Sequence, residues 1–184
     1  MKVTKDQITQ WGSYEDRYNS FDDRDDISEL IEIIRRDRRL LIYMKQYLPE
    51  ELNLSFRIHP DGPYGVDLGI VETGTHKRIC NFDVERWSQW QEEWPHNYRC
   101  ISFLARKDKF LKQGVPFFMC YFNYYRNKLL IVEEHDILNT PAADKKFASG
   151  KGIDKIRSLP FNVGHIFGIV TDKEKRQFNY ADIA

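Results

Sequence analysis

The sequence predicts an α+β domain built around a central mixed sheet, and three observations carry that expectation. Apolar residues recur at helical spacing from Ile27 to Leu48. Three strand-length segments of period two follow, joined by short turns over residues 52–87. A second helical pattern then precedes two more apolar strand-like runs, so the order is helix, three strands, helix, strand, strand. Elements in that order put the sheet in the middle with helices flanking it.

Residues 1–26 mix Trp11, Tyr14, Tyr18 and Phe21 with many polar residues and end in the acidic run DDRDD, which suits either an arm or a short helix. From Ile27, the residues Leu30, Ile31, Ile34, Leu41, Met44 and Leu48 share a helical stripe, with Asp26 as N-cap and Pro49 as the stop. After Pro49 the period drops to two. LNLSFRI (52–58) alternates, HPDGP (59–63) turns, YGVDLGIVE (64–72) is a second strand, and TGTHK (73–77) leads into RICNFDVERW (78–87). Short turns between successive strands predict an antiparallel meander.

Beyond an irregular aromatic segment at 88–98, residues 99–114 read as a helix in which Ile101, Leu104, Lys107 and Leu111 share a face and Gly114 closes the C-terminus. A strand pair follows at about 115–123 and 128–134. Residues 135–152 read as a mobile basic loop, before a last apolar segment, FNVGHIFGIV. The whole is expected to be one domain over 1–184, with an arm at 1–26, a core at 27–134, and a basic loop and C-terminal extension at 135–184.

At 41% apolar and 14% aromatic residues, the chain has enough burial-capable surface for a packed core. Its 28 basic residues balance 28 acidic ones, which excludes the global positive field of a bulk nucleic-acid binder. The halves differ, however. Residues 1–100 hold 14 Lys/Arg against 19 Asp/Glu, and residues 101–184 hold 14 against 9, so a polyanion would approach the second half. Three cysteines without C-x-x-C spacing, and no run of about 20 apolar residues, lead to the expectation of reduced thiols in a cytoplasmic protein.

The informative residues are the acids of the meander. On the third strand Cys80, Phe82 and Val84 share one face, and Asn81, Asp83 and Glu85 share the other; Asp67 of the second strand points the same way as the acids. If residues 72 and 78 close the ladder, Asp67 lies opposite Asp83, with β-carbons about 5 Å apart. Two carboxylates that close repel unless a cation sits between them. A hard divalent ion is one solution, which would suit phosphodiester chemistry. The other is a solvated sheet face, where alternating polar residues ordinarily lie.

A helix, a meander with Asp67 in GVDLG on its second strand and the pair Asp83 and Glu85 in FDVER on its third, then a helix and a further strand, resembles the PD-(D/E)xK nuclease superfamily. The likeness spans about residues 27–134. It implies a restriction endonuclease-like fold of αβββαβ core order and hydrolysis of DNA phosphodiester bonds with Mg²⁺ or Mn²⁺. Asp67, Asp83 and Glu85 would be catalytic and hold the ion, with Glu32 or Glu29 of the first helix as a further ligand. Arg106, Lys107, Lys109 and Lys112 of the second helix would steady the nucleic-acid backbone. The family usually has lysine where this chain has Glu85, and Arg86 points to the opposite face.

Other constellations are weaker. The histidines at 59, 76, 96, 135 and 165 lack zinc-ligand spacing, although His135 beside Glu133, Glu134 and Asp136 could assist a metal. SGKG (149–152) lacks the loop of a phosphate-binding motif. Trp87, Trp90, Trp94 and Tyr98 suit a satellite core better than base stacking. The rival expectation is a protein that keeps a nuclease-like fold without chemistry, as a protein-interaction, assembly or nucleic-acid-binding module, with homodimerisation through an exposed hairpin at 115–134.

Overall fold

A computed structural model of the chain describes residues 23–48, 53–62, 64–87, 89–146 and 153–168. The expectations for residues 1–22, for the Pro49 stop and for SGKG lie outside them. The helical stripe forms two helices, α1 (Asp23–Arg36) and α2 (Arg38–Met44). The break at Asp37 has a local cause. Its carboxylate accepts the backbone N–H groups of Arg39 at 2.9 Å and Leu40 at 3.3 Å, which caps a new helix instead of continuing the old one. Asp26, expected as the N-cap, lies inside α1 and is buried, ion-paired with Arg126 and 3.8 Å from Arg86.

The meander is β1 (Leu54–Ile58), β2 (Leu68–Glu72) and β3 (Arg78–Trp87), paired antiparallel in sequence order. After β3 the chain forms β4 (Cys100–Leu104) and a 3₁₀ helix (Ala105–Phe110), and not the helix expected over 99–114. Ile101 and Phe103 are buried while Cys100, Ser102 and Leu104 are partly exposed. That alternation is the strand period, and it prevails over the i, i+3 spacing that Leu104, Lys107 and Leu111 also satisfy.

The strand pair forms as β5 (Phe117–Asn123) and β6 (Lys128–Glu133). The supposed loop after it is ordered over 134–146, as α3 (Glu134–Asn139) and β7 (Ala142–Lys146). β8 (Ile153–Pro160), a 3₁₀ turn (Phe161–Val163) and β9 (His165–Gly168) complete the described chain. β8 went unseen because IDKIRSLP has little apolar alternation to mark it.

Two sheets result. The larger runs β1-β2-β3-β5-β6-β9, antiparallel throughout except for the parallel β3–β5 pair; the smaller runs β4-β8-β7. The α+β class and the central mixed sheet are therefore as expected. The flanking layers differ: α1 and α2 cover one face of the large sheet, while the small sheet and the 3₁₀ helix cover the other.

Each face has its own core. On the helix side Ile27, Leu30 and Ile34 of α1 pack on Leu68, Ile70, Cys80, Phe82, Val84, Phe118, Cys120 and Phe122. On the other side Ile101, Phe103 and Leu159 of the small sheet, with Phe110, meet Phe117, Met119 and Tyr121. β5 contributes to both cores and is buried along its length, as a central strand with a parallel neighbour must be. Because β3 and β9 flank the 115–134 hairpin, its strand edges are paired and exposure is confined to its tip, so it does not offer the open dimer surface expected from sequence.

The three cysteines are free thiols, with Cys80 and Cys120 buried. Among the described residues no helix is long and apolar enough to cross a membrane.

Phe118 stacks on Phe82 at 5.1 Å and meets Tyr47 edge-on at 4.8 Å, so it joins the helical layer to two central strands. Phe118→Ala is expected to lower the unfolding free energy by about 3–5 kcal/mol, whereas Tyr124→Ala at the exposed β5–β6 tip changes it by less than about 0.5 kcal/mol. Urea denaturation of the two variants checks the contrast.

Candidate active site

The register of β2 against β3 brings the meander acids together. Leu68 pairs with Phe82 and Ile70 with Cys80, so Asp67, one residue before Leu68, faces Asp83. A bulge between Ile70 and Val71 shifts the pairing by one only at the turn end, where Val71 meets Arg78. The Asp67 carboxylate accepts the backbone N–H of Val84 at 2.7 Å. Asp67 and Asp83 are close enough for one carboxyl to hydrogen-bond the other when protonated.

Asp83 is 3% exposed, which is rare for a carboxylate and demands a partner. Lys107 supplies it. The 3₁₀ helix lies over the same face of β3 as Asp83, and the Lys107 ammonium donates both to Asp83 and, at 2.6 Å, to Glu85. Lys107 was expected on the apolar face of an α-helix with Ile101, Leu104 and Leu111, its ammonium steadying a nucleic-acid backbone; instead the ammonium is largely buried inside the acid cluster. The reason is that a 3₁₀ helix, not an α-helix, carries it, which changes the face on which it emerges.

Burial alone would pull the Lys107 ammonium down, but Glu85 and Asp83 outweigh it and hold the group above the ordinary lysine range. Asp67 moves the other way. Burial first, and the charge of Asp83 second, push its carboxyl up to about 8 against the lesser pulls of the Val84 N–H and Lys107. Three carboxylates thus share one ammonium, and the deficit of positive charge falls on the Asp67–Asp83 pair.

That pair is the set that could hold a cation. Its donors are hard oxygens, and together with Glu85 it carries more negative charge than Lys107 offsets, so the residues fit a hard divalent ion. Among the described residues no group of three or more His, Cys, Asp or Glu stands in metal-holding geometry. An ion here would draw its remaining ligands from water and substrate phosphate, which is the habit of Mg²⁺.

The other sequence candidates separate. Glu32 sits on α1 and pairs with Arg36 at 2.6 Å and Arg35 at 3.2 Å on the outer side of the helix. Since α1 packs on the Phe82 face of β3, Glu32 does not join Asp83; the helix packs through Ile27, Leu30 and Ile34, which turns Glu32 outward. Arg106, Lys109 and Lys112 are exposed, with the Lys109 ammonium donating to the Tyr64 carbonyl at 2.6 Å. Arg86 points away from the acids toward Asp26, as expected. His135 belongs to a separate group around Glu133, which also accepts the hydroxyls of Tyr43 and Tyr47. Trp90 is buried in the second core, with Trp87 and Trp94 packed against that cluster, so these indoles extend a main core where a separate satellite was expected.

His59 was read only as part of a turn. Its backbone N–H donates to the Asp67 carbonyl at 2.8 Å, and its ring Nδ1 lies 4.0 Å from the Asp67 carboxylate. It adopts a left-handed φ of 46°, a conformation that costs a non-glycine residue about 1–3 kcal/mol and gathers at functional sites. The available signal was the histidine immediately before Pro60, at a position where glycine would relieve the backbone.

No family model matches the chain, and no curated protein matches it. Among solved structures the chain is similar to a nuclease from a fusselovirus, at 14% identity over 75% of this chain and 84% of that one. The TM-score is 0.43, a likeness too loose to assign either fold or activity.

The folded Asp67 carboxyl holds its proton to about pH 8, whereas an unfolded aspartate releases it near 3.8. A raised folded pKa contributes stability that is complete below about pH 4 and is lost as pH rises toward 8, by at most about 1.4 kcal/mol per unit. In metal-free buffer, the unfolding free energy of the wild type is therefore expected to fall from pH 5 to pH 8 relative to that of Asp67→Asn. A difference between the two proteins that stays flat across this range contradicts the assigned cause.

Proposed function

We propose that the chain is a metal-dependent nuclease that hydrolyses DNA phosphodiester bonds, with a restriction endonuclease-like site of PD-(D/E)xK character whose lysine comes from outside the motif. The observation that carries this reading is the Lys107 ammonium bonded to both Asp83 and Glu85 beside Asp67. Two strand acids and a lysine converge as the family's pattern requires. Only the route of the lysine differs.

Asp67 and Asp83 would hold Mg²⁺ or Mn²⁺, which when bound supplies Lewis-acid polarisation and a more acidic water. Hydrolysis joins a water oxygen to phosphorus, breaks one P–O ester bond and leaves the departing oxygen protonated. Lys107 stays an ammonium beside its two acids, so it acts as a fixed positive charge toward developing phosphoryl charge and not as a base. Glu85, with 41% of its side chain exposed, anchors Lys107 from the solvent side and offers an oxygen to orient the attacking water. Arg106, Lys109 and Lys112 on the same segment supply exposed charge for the polyanion backbone.

One observation favours the non-catalytic alternative. Lys107 already neutralises part of the cluster, so the fold does not need a metal to hold its acids. The two readings diverge in a cleavage assay on supercoiled and linear DNA with Mg²⁺ or Mn²⁺. Asp83→Asn is expected to abolish cleavage, and Lys107→Met to slow it by about 10²–10³-fold, the usual loss for one fixed electrostatic donor. Circular dichroism establishes that both variants fold. Wild-type protein that retards DNA without cutting it supports the binding module, and one that does neither supports the protein-interaction role.

A further inference from the structure

Beside the acid cluster, on the same face of β3, lies an open cleft of about 560 Å³ whose walls include Asp61, Tyr64, Arg78, Asn81, Lys109 and Gln113. It is within the size range of small-ligand pockets. Asn81 fixes its place in the site: it precedes Asp83 by two residues, so the two side chains emerge on one face of the strand.

The cleft is built, not incidental. Arg78 lies across β2 where Gly69 leaves room for it; a β-carbon at Gly69 would meet the guanidinium at 3.1–3.2 Å. Asp61 accepts two hydrogen bonds of 3.0 and 3.2 Å from Arg78, and Arg78 also donates to the Asn81 side-chain Oδ1 at 2.6 Å. The Asn81 amide is 1% exposed and reaches Gln113 at 3.4 Å. Lys109 ties the two lips together through the Tyr64 carbonyl. Tyr64, at the mouth of the cleft, is 62% exposed and so presents a large amphipathic side chain at the surface there.

This combination suits one kind of occupant. The exposed Gln113 amide spends one N–H on the Lys109 carbonyl at 2.7 Å and one lone pair on Asn81, which leaves a donor and an acceptor for the edge of a nucleobase; an exposed aromatic ring stacks on a base face, and Lys109 and Arg78 against the single Asp61 leave net positive charge for a phosphate. We infer that the cleft receives one unpaired nucleotide of the substrate, adjoining the scissile phosphate placed beside Lys107, so that the preferred substrate is single-stranded or carries an unpaired nucleotide. A base inside a duplex is stacked on both faces and has its pairing edge occupied, so it cannot enter without being extruded. The placement next to a scissile phosphate rests on the nuclease reading, but the preference for unpaired bases does not.

The test separates the two. Anisotropy of a labelled single-stranded oligonucleotide and of its blunt duplex, measured with EDTA at one salt concentration, reports binding without cleavage. Wild-type protein is expected to bind the single strand at least fivefold tighter, and Tyr64→Ala to lose at least fivefold on the single strand while its duplex affinity changes less than twofold. Gln113→Ala, on the exposed lip, is expected to lower single-strand affinity in the same direction. Equal affinity for both forms, affinities unmoved by Tyr64→Ala, or no binding to either form overturns the inference. Cleavage by wild type in Mg²⁺ bears on the nuclease reading alone: a single-strand preference that depends on Tyr64 stands even if no DNA is cut. Asp83-dependent cutting of both forms at equal rates, unchanged in Tyr64→Ala, leaves the nuclease standing and removes the cleft from its substrate site.

Discussion

A carboxylate buried on a central strand must be matched by a cation, and much of this structure follows from how Asp83 is matched. Its neighbours on β3 are already committed. Phe82 and Val84 face the helical core, and Met119, its partner on β5, lies in the second core. A lysine arriving from the layer above is therefore the counter-ion the fold provides, and Lys107 must cross 24 residues of sequence to reach it. Removing a partner from a buried ion pair leaves an uncompensated charge, so the crossover after β3 is held in place by electrostatics as well as by packing.

That crossover exists because β3 and β5 run parallel, which forbids a tight turn between them. Many sheets fill such a connection with a helix. Here β4 pairs with β8 to build a second sheet, and the 3₁₀ helix that follows β4 is anchored from the same direction, since Arg157 of β8 grips Asp108 at 2.7 and 3.0 Å. Asp108 is the immediate neighbour of Lys107. The small sheet thus acts as a clamp: Ile101, Phe103 and Leu159 bury its inner face, and the Arg157–Asp108 pair fixes the turn that presents the ammonium.

The legible part of the sequence was the part with local causes. Alternation located β3 at its observed limits, and a register set by a short turn put Asp67 across from Asp83 even though a bulge intervened near the turn. Segment 99–114 failed because its apolar residues satisfy two periods at once, and only pairing with β8 decides between them. β8 itself has no alternation strong enough to announce it. The role of Lys107 could not be read at all, because nothing near Asp83 in sequence says which of several lysines will fold over it. His59 was likewise swept into a turn, whose residues declare backbone geometry far more clearly than they declare chemistry, and Tyr64 into a strand that begins only at Leu68.

Glu85 and Lys107 are best understood together. A side chain two residues after Asp83 emerges on the same face, so a lysine at 85 would reach the acids along the strand, while a glutamate there adds a third negative charge. With Lys107 present, a lysine at 85 would set two ammonium groups against Asp67 and Asp83 and leave the pair little attraction for a further cation. With glutamate there, Lys107 is divided between Asp83 and Glu85, and Asp67, whose carboxyl burial first and the Asp83 charge second push up to about 8, draws only a lesser pull from it. Glutamate at 85 therefore has a consistent electrostatic sense: it keeps a single ammonium in the site and leaves the three carboxylates with more negative charge than Lys107 offsets.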